Sequence, residues 1–297
     1  ELEVVETAVM VVSIDAEHFP DEAFRQYVIE SCDTDKDGNL SNEEIAEKTQ
    51  MYVSWRGIQT LKGVEYFTAL TYLDCSGNEL TELDMSNNTA LTSLNCWDNQ
   101  LTSLDMSKNV SLDALYCSLN QLTKLDVSNN TALLSLSCGY NRLTELDVSQ
   151  NTALQYLSCD GNQLTELDVS NNVALGYLDC NTNQLTALDV SSNTALTSLN
   201  CWDNQLTELD IRNCPSLTLE NLAADSSLII IRPNEDGLPI FDKHSLVLSG
   251  QIGADFYLSV PEGIATAGSY VTFTVNGHTS TPAMFSNVSS KDIVSAD

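Results

Sequence analysis

Basic side chains are scarce in this chain. Only 12 Lys and Arg stand against 42 Asp and Glu in 297 residues, a formal net charge of −30. Nucleic acid and anionic membrane surfaces both require clustered Lys and Arg, so neither is an expected partner. Long apolar runs are missing as well. Nothing approaches the roughly 18 apolar residues of a membrane span, and no membrane insertion is expected. The three histidines, His18, His244 and His278, lie scattered, and no Ser, Cys or carboxylate pair is set beside a base. A catalytic constellation is therefore not expected, and the chain reads as a non-enzyme. The opening Glu1-Leu2-Glu3-Val4-Val5-Glu6 lacks the basic start of a signal peptide, so any export signal is expected to have been removed or never to have existed.

What the chain has in abundance is periodicity. Cysteine recurs at Cys75, Cys96, Cys117, Cys138, Cys159, Cys180 and Cys201, always 21 residues apart. Asn78 through Asn204 and Leu80 through Leu206 keep the same step. The shared pattern is L-x-x-L-x-C-x-x-N-x-L, a supersecondary unit that buries its apolar face only by stacking on copies of itself. It resembles the leucine-rich-repeat family over roughly residues 49–217. The resemblance implies an α/β solenoid, curved and right-handed, with 21-residue repeats and a parallel β-sheet on its concave side. About eight rungs are expected, with Met51–Ile58 as an atypical first one in which Trp55 and Arg56 replace the small residue and the ladder asparagine. The periodic cysteines fall where the pattern wants an inward Leu and read as small buried hydrophobes. Rungs about 4.8 Å apart are slightly wide for the ~3.8 Å between disulfide Cβ atoms. Disulfides or a thiolate metal site remain the alternative.

Ahead of the repeats, Phe24, Val28 and Cys32 share one face of a helix that Asp21 can cap. The helix runs into Asp33-Thr34-Asp35-Lys36-Asp37-Gly38-Asn39-Leu40-Ser41-Asn42-Glu43-Glu44. This resembles EF-hand and dockerin-type calcium loops at every demanding position. Asp33, Asp35 and Asp37 supply carboxylate oxygens, Gly38 the sharp turn, Asn39 a backbone carbonyl, Ser41 the water-bridged position and Glu44 a bidentate carboxylate. Hard oxygen donors suit Ca²⁺ over Zn²⁺ or Mg²⁺. The loop is single, with a short exit helix near Glu43–Lys48, which points to a structural clip in the cap and not to a sensor. An acidic helical cap followed by such repeats resembles exported bacterial leucine-rich-repeat proteins of the internalin-like kind.

Two columns of the repeat invite a functional reading. The acidic ladder Asp84, Asp105, Asp126, Asp147, Asp168, Asp189 and Asp210 sets like charges about 5 Å apart, at about 1 kcal/mol per pair in water. Hydrogen bonds across the turn offset that, the alternative being a row of weak cation sites. The concave face is where the repeat varies, and Tyr72, Asp74, Trp97, Tyr116, Tyr156, Tyr177, Asp179 and Trp202 are its candidate ligand-binding residues. Tyr and Trp anchor interfaces because they bury much area while freezing few torsions. They also line twisted sheets for purely structural reasons, and residues 90–102 recur identically at 195–207, as a duplication would leave them.

After Leu217 the pattern lapses. Leu228–Arg232 is expected as a strand capping the last rung. Ser245–Leu248, Ala254–Val260 and Tyr270–Val275, with a hairpin signal at Asn276-Gly277, predict a small antiparallel β-domain. The expected organisation is thus 1–48 helical cap with the calcium loop, 49–232 solenoid and 233–297 β-domain. The expected function is a secreted or surface-displayed bacterial binding protein, acting as a monomer, that recognises a protein or glycan on its concave face. A structural spacer within a larger surface protein is the rival.

Overall fold

The computed structural model describes residues 11–225 and 227–233, and beyond these the backbone of short strands between 239 and 296. The centre of the molecule is a parallel sheet built from one three-residue strand per rung. These are β3 (Gln50–Tyr52), β4 (Tyr72–Asp74), β5 (Ser93–Asn95), β6 (Ala114–Tyr116), β7 (Ser135–Ser137), β8 (Tyr156–Ser158), β9 (Tyr177–Asp179) and β10 (Ser198–Asn200). The register never slips. Met51 pairs with Leu73, Leu73 with Leu94, and so on to Leu178 and Leu199. Each central Leu points inward and is essentially unexposed, and so is each of the seven periodic cysteines two residues on. Burying a Leu side chain is worth about 1.5–3 kcal/mol, and the rung repeats that gain at every turn. All nine cysteines are free and buried.

The ladder asparagine closes each strand end. Asn120 donates to the carbonyls of Cys96 and Cys117 at 3.0 and 3.1 Å and accepts from the Leu101 N–H at 2.9 Å. One amide thus ties two rungs and satisfies backbone groups that the short strands leave unpaired. The residue just before it is left-handed in rung after rung: Trp55, Gly77, Asp98, Leu119, Tyr140, Gly161, Thr182 and Asp203 all have φ between 51° and 63°. Opposite the sheet each rung returns through turns. Within residues 49–217 the one short helical segment described is the 3₁₀ turn Val64–Tyr66, so the α component lies in α1 (Glu22–Ser31) and α2 (Asn42–Glu47) ahead of the repeats.

These helices pack onto the first rung. The Asp21 carboxylate caps α1 at the Phe24 N–H (3.0 Å) and its other oxygen takes the Gln59 N–H (2.8 Å), joining cap to solenoid. Phe24, Tyr27 and Val28 are buried, and the Phe19 ring fills the space a side chain at Gly63 would need. The loop between the helices carries β2 (Asn39–Leu40), which pairs antiparallel with β1 (Val12–Ser13).

At the far end the sheet gains a ninth strand, β12 (Leu222–Ala223), which pairs with β10 as Leu199↔Leu222. The step from 199 to 222 is two residues longer than the repeat, which hides this strand from the period. The capping strand expected at Leu228–Arg232 joins the last rung on its turn side and not at the sheet edge. This strand, β13 (Ile229–Pro233), pairs parallel with β11 (Glu208–Asp210), in the column that forms the turn side of earlier rungs, and antiparallel with β14 (Pro239–Lys243). With β12 already on the sheet edge, the free edge open to β13 is the turn side, where the Ile211 N–H donates to the Ile231 carbonyl (2.8 Å). Further on, backbone pairings are antiparallel. They join β15 (Phe256–Leu258) to β20 (Val294–Ala296), β16 (Tyr270–Val271) to β19 (Ala283–Met284), and β17 (Thr274–Val275) to β18 (His278–Thr279), the last bracketing residues 276–277. The strand expected at Ser245–Leu248 lies outside the described residues.

Candidate binding face and metal loop

The acidic loop hangs between two capped helices. α1 delivers Asp33 at its C-terminal end, and Ser41 caps α2 in a reciprocal box with Glu44. Between them Gly38, at φ 84°, makes the reversal and donates its N–H to Asp33 Oδ2 (3.0 Å). The turn gathers Asp33, Asp35 and Asp37 so that one carboxylate oxygen from each lies within 4.8 Å of the others. Asp33 is buried, and its Oδ1 has no hydrogen-bond partner. An unpartnered buried carboxylate oxygen among two further carboxylates is a donor set a hard divalent cation fits.

The other three predicted ligands sit beside this group. Asn39 donates its N–H to Asp37 Oδ1 (2.7 Å), and Ser41 donates from N and Oγ to Glu44 Oε2, both at 2.9 Å. Glu44 Oε1 accepts from the Thr34 N–H (2.6 Å) and hydroxyl (2.8 Å). Burial alone would raise the Glu44 pKa; the donors of Ser41 and Thr34 outweigh it and bring it from 4.5 down to about 2. Glu44 therefore already holds the loop closed as an anion. The strand that pairs with the loop is β1, with the Ile14 N–H on the Gly38 carbonyl (3.0 Å), and residues 12–13 carry no periodic signal that assigns them to it.

The acidic ladder is accounted for locally. Asp84, Asp105, Asp126, Asp147, Asp168 and Asp189 each accept the N–H of the Ser two residues on, at 2.8–2.9 Å. Asp210 accepts from the Arg212 N–H and guanidinium. The hydroxyl and N–H of each serine keep the six ladder carboxyls below the usual range despite their charged neighbours.

On the outer face of the sheet the predicted residues fall into two groups. Near the first rungs Tyr72 lies 5.1 Å from the ring of Tyr52, and Trp97 makes an edge contact with Trp55 at 5.9 Å. Near the last rungs Tyr156 and Tyr177, direct neighbours on β8 and β9, stack at 4.5 Å with 5° between planes. Tyr177 also directs its hydroxyl at Asp179 Oδ2 (3.4 Å), and burial with the Asp179 charge raises its pKa to about 12. Tyr116 stands exposed between the groups and Trp202 beyond them, while Asp74 is turned onto the Ser76 hydroxyl (2.6 Å). Tyr52, Trp55 and Tyr140, all more than half exposed, belong to the same surface and were not among the predicted residues. Trp55 and Tyr140 sit in the left-handed column. Their rings cover Gly77 and Gly161, where a Cβ would collide with them. The register of Trp55 on Gly77 was the available signal.

Fold and face together define a leucine-rich-repeat solenoid with an aromatic, acidic sheet surface. Among known proteins the chain is similar to internalin J of Listeria monocytogenes, 42% identical over 71 residues, which is 24% of this chain and 8% of that protein. The solved domain of that protein, described as including a cysteine ladder, is 30% identical over 73% of this chain and 62% of that one, with a TM-score of 0.36. Internalin C2 of the same species superposes with a TM-score of 0.67 at 22% identity, over 72% of this chain and 97% of that one, a likeness of fold. The chain thus spans under a tenth of the length of the curated relative it matches. No family model matches it. Among the described residues no helix is long and apolar enough to cross a membrane.

Proposed function

We propose that this protein is a non-enzymatic binding module, secreted or displayed on a bacterial surface, that recognises a protein or glycan on the concave face of its sheet. The observation that carries this reading is the gathering of aromatic side chains on that one face, Tyr116 and Trp202 exposed and Tyr72, Trp97, Tyr156 and Tyr177 half-buried, while the core, asparagine and aspartate columns are occupied by their own structure. Leu and Cys fill the core, both asparagine ladders bind backbone, and the aspartates bind their serines. The likeness to internalins supports the same class. Ca²⁺ held by Asp33, Asp35 and Asp37, with Asn39, Ser41 and Glu44 contributing, stabilises the cap that shields the first rung. The chain's own residues already preform that loop; the ion supplies the positive charge that three adjacent carboxylates call for.

Screening the purified protein against host proteins and glycans, with calcium and with chelator, tests the reading. A variant carrying Trp97→Ala, Tyr116→Ala, Tyr156→Ala and Tyr177→Ala should keep its circular dichroism and lose its ligand. Binding that survives in the folded variant would favour the spacer.

A further inference from the structure

The sheet face and its two bordering columns, from Thr71 to Asp203, contain no Lys or Arg, yet Asp74, Asp98, Asp113, Asp160, Asp179 and Asp203 all stand there. The basic residues of the repeats lie outside these columns; Arg142, which follows the ladder residue Asn141, has its guanidinium on Gln121 (3.1 Å). At the stacked tyrosines this imbalance becomes a shaped site. Asp160 accepts from the Ser158 hydroxyl (2.6 Å) and leans into the space over Gly139. Asp179 accepts from Asn181 Nδ2 (2.5 Å), Asn200 Nδ2 (3.3 Å) and the Tyr177 hydroxyl. The side-chain partners of both carboxylates are thus neutral. Burial first, and the Asp179 charge next, push the Asp160 carboxyl above its ordinary range, so the pair lacks compensation that an incoming cation would supply.

Two parallel, stacked phenol rings flanked by half-buried, unneutralised carboxylates match one chemistry better than a neutral sugar. A guanidinium lays its flat face on an aromatic ring and presents forked N–H donors to carboxylates. We propose that the sheet face docks a positively charged protein segment, with an arginine seated against Tyr156 and Tyr177 and bonded to Asp160 and Asp179. This rests on the sheet face being the binding surface, and it names the chemistry of the partner.

The test uses a fluorescent peptide of alternating Gly and Arg, titrated into the whole chain at physiological ionic strength, where non-specific attraction to a net-negative protein is screened. Asp160→Asn with Asp179→Asn should weaken binding about tenfold or more, about 1.4 kcal/mol. Asp126→Asn with Asp168→Asn, the same charge removed from the turn side, should change it less than about twofold. A Gly-Lys peptide should bind more weakly than the arginine one. Equal losses in the two variants, or none in the first, would overturn the proposal. Asp179→Asn alone, which keeps one acceptor oxygen, serves if the double variant fails to fold. A neutral glycan that binds the wild type and is lost in Tyr156→Ala with Tyr177→Ala, while the arginine peptide ignores the face, would overturn the cation site and leave the binding surface standing. If no arrayed ligand depends on those tyrosines, both ideas fall.

Discussion

The two asparagine ladders look alike in sequence but should differ in energy. Asn120 on the sheet side accepts the Leu101 N–H and donates to the carbonyls of Cys96 and Cys117. Asn130 on the turn side donates to the Met106 and Asn109 carbonyls at 3.0 and 2.9 Å, but its buried Oδ1 accepts from no protein group. Both of its carbonyls also receive backbone N–H groups, from Asn109 and Leu112. Asn120→Ala therefore strands one buried N–H, at about 1–3 kcal/mol, and removes two short bonds at about 0.5–1.5 kcal/mol each together with a longer one to the Ser118 carbonyl (3.3 Å), about 4 kcal/mol in all. Asn130→Ala removes two bonds, about 1–3 kcal/mol, while relieving an unpaired acceptor worth a similar amount, for a net near zero, within about 2 kcal/mol. The lost packing is common to both. Urea unfolding followed by circular dichroism, with unchanged m, should separate the variants by about 4 kcal/mol. Equal destabilisation would refute this assignment of hydrogen bonds.

Other consequences are more direct. The periodic thiols should resist a thiol reagent at pH 8 in the folded protein and react after unfolding. Burial raises Cys96 and Cys138 to about 12, leaving almost no thiolate, and fast native labelling would contradict that. In chelator, the folded-state Glu44 pKa lies below its ordinary 4.5, so its stabilisation is complete above pH ~4.5 and lost as pH falls toward about 2. Glu44→Gln should flatten that limb of the acid-unfolding profile, and an unaltered limb would place the acid sensitivity elsewhere. Adding calcium to chelated protein should raise the melting temperature by several degrees if occupancy reaches about a hundredfold over Kd. Asp33→Asn should abolish the rise, and a shift that survives would move the ion to another site.

Much of this architecture is legible in the chain because a strict period leaves each column a single environment. The inward Leu and Cys, the sheet-side asparagine and the Asp–Ser turn could all be assigned from spacing alone. The Asp21 cap and the loop from Asp33 to Glu44 could be read from local chemistry, since every residue type there has one geometric use. Where the period ends, so does the reading. β12 arrives two residues late, and β13 joins β11 because the sheet edge is already taken, neither of which residue type encodes. The pairing of β1 with the loop depends on a two-residue contact with no pattern. Tyr140 and Leu119 hold a left-handed backbone that glycine would signal and they do not. The unpaired oxygens of the turn-side ladder depend on hydrogen-bond geometry, invisible in a column of identical asparagines.

Ligand is expected to meet the aromatic face of the sheet. Hydroxyl-radical footprinting of the protein with and without a ligand found by the screen reads that contact side chain by side chain. Tyr116, Tyr156, Tyr177 and Trp202 should be protected, with Val110 and Val173, exposed on the turn side, unchanged. Protection confined to the turn side, or to the cap, would contradict binding at that face.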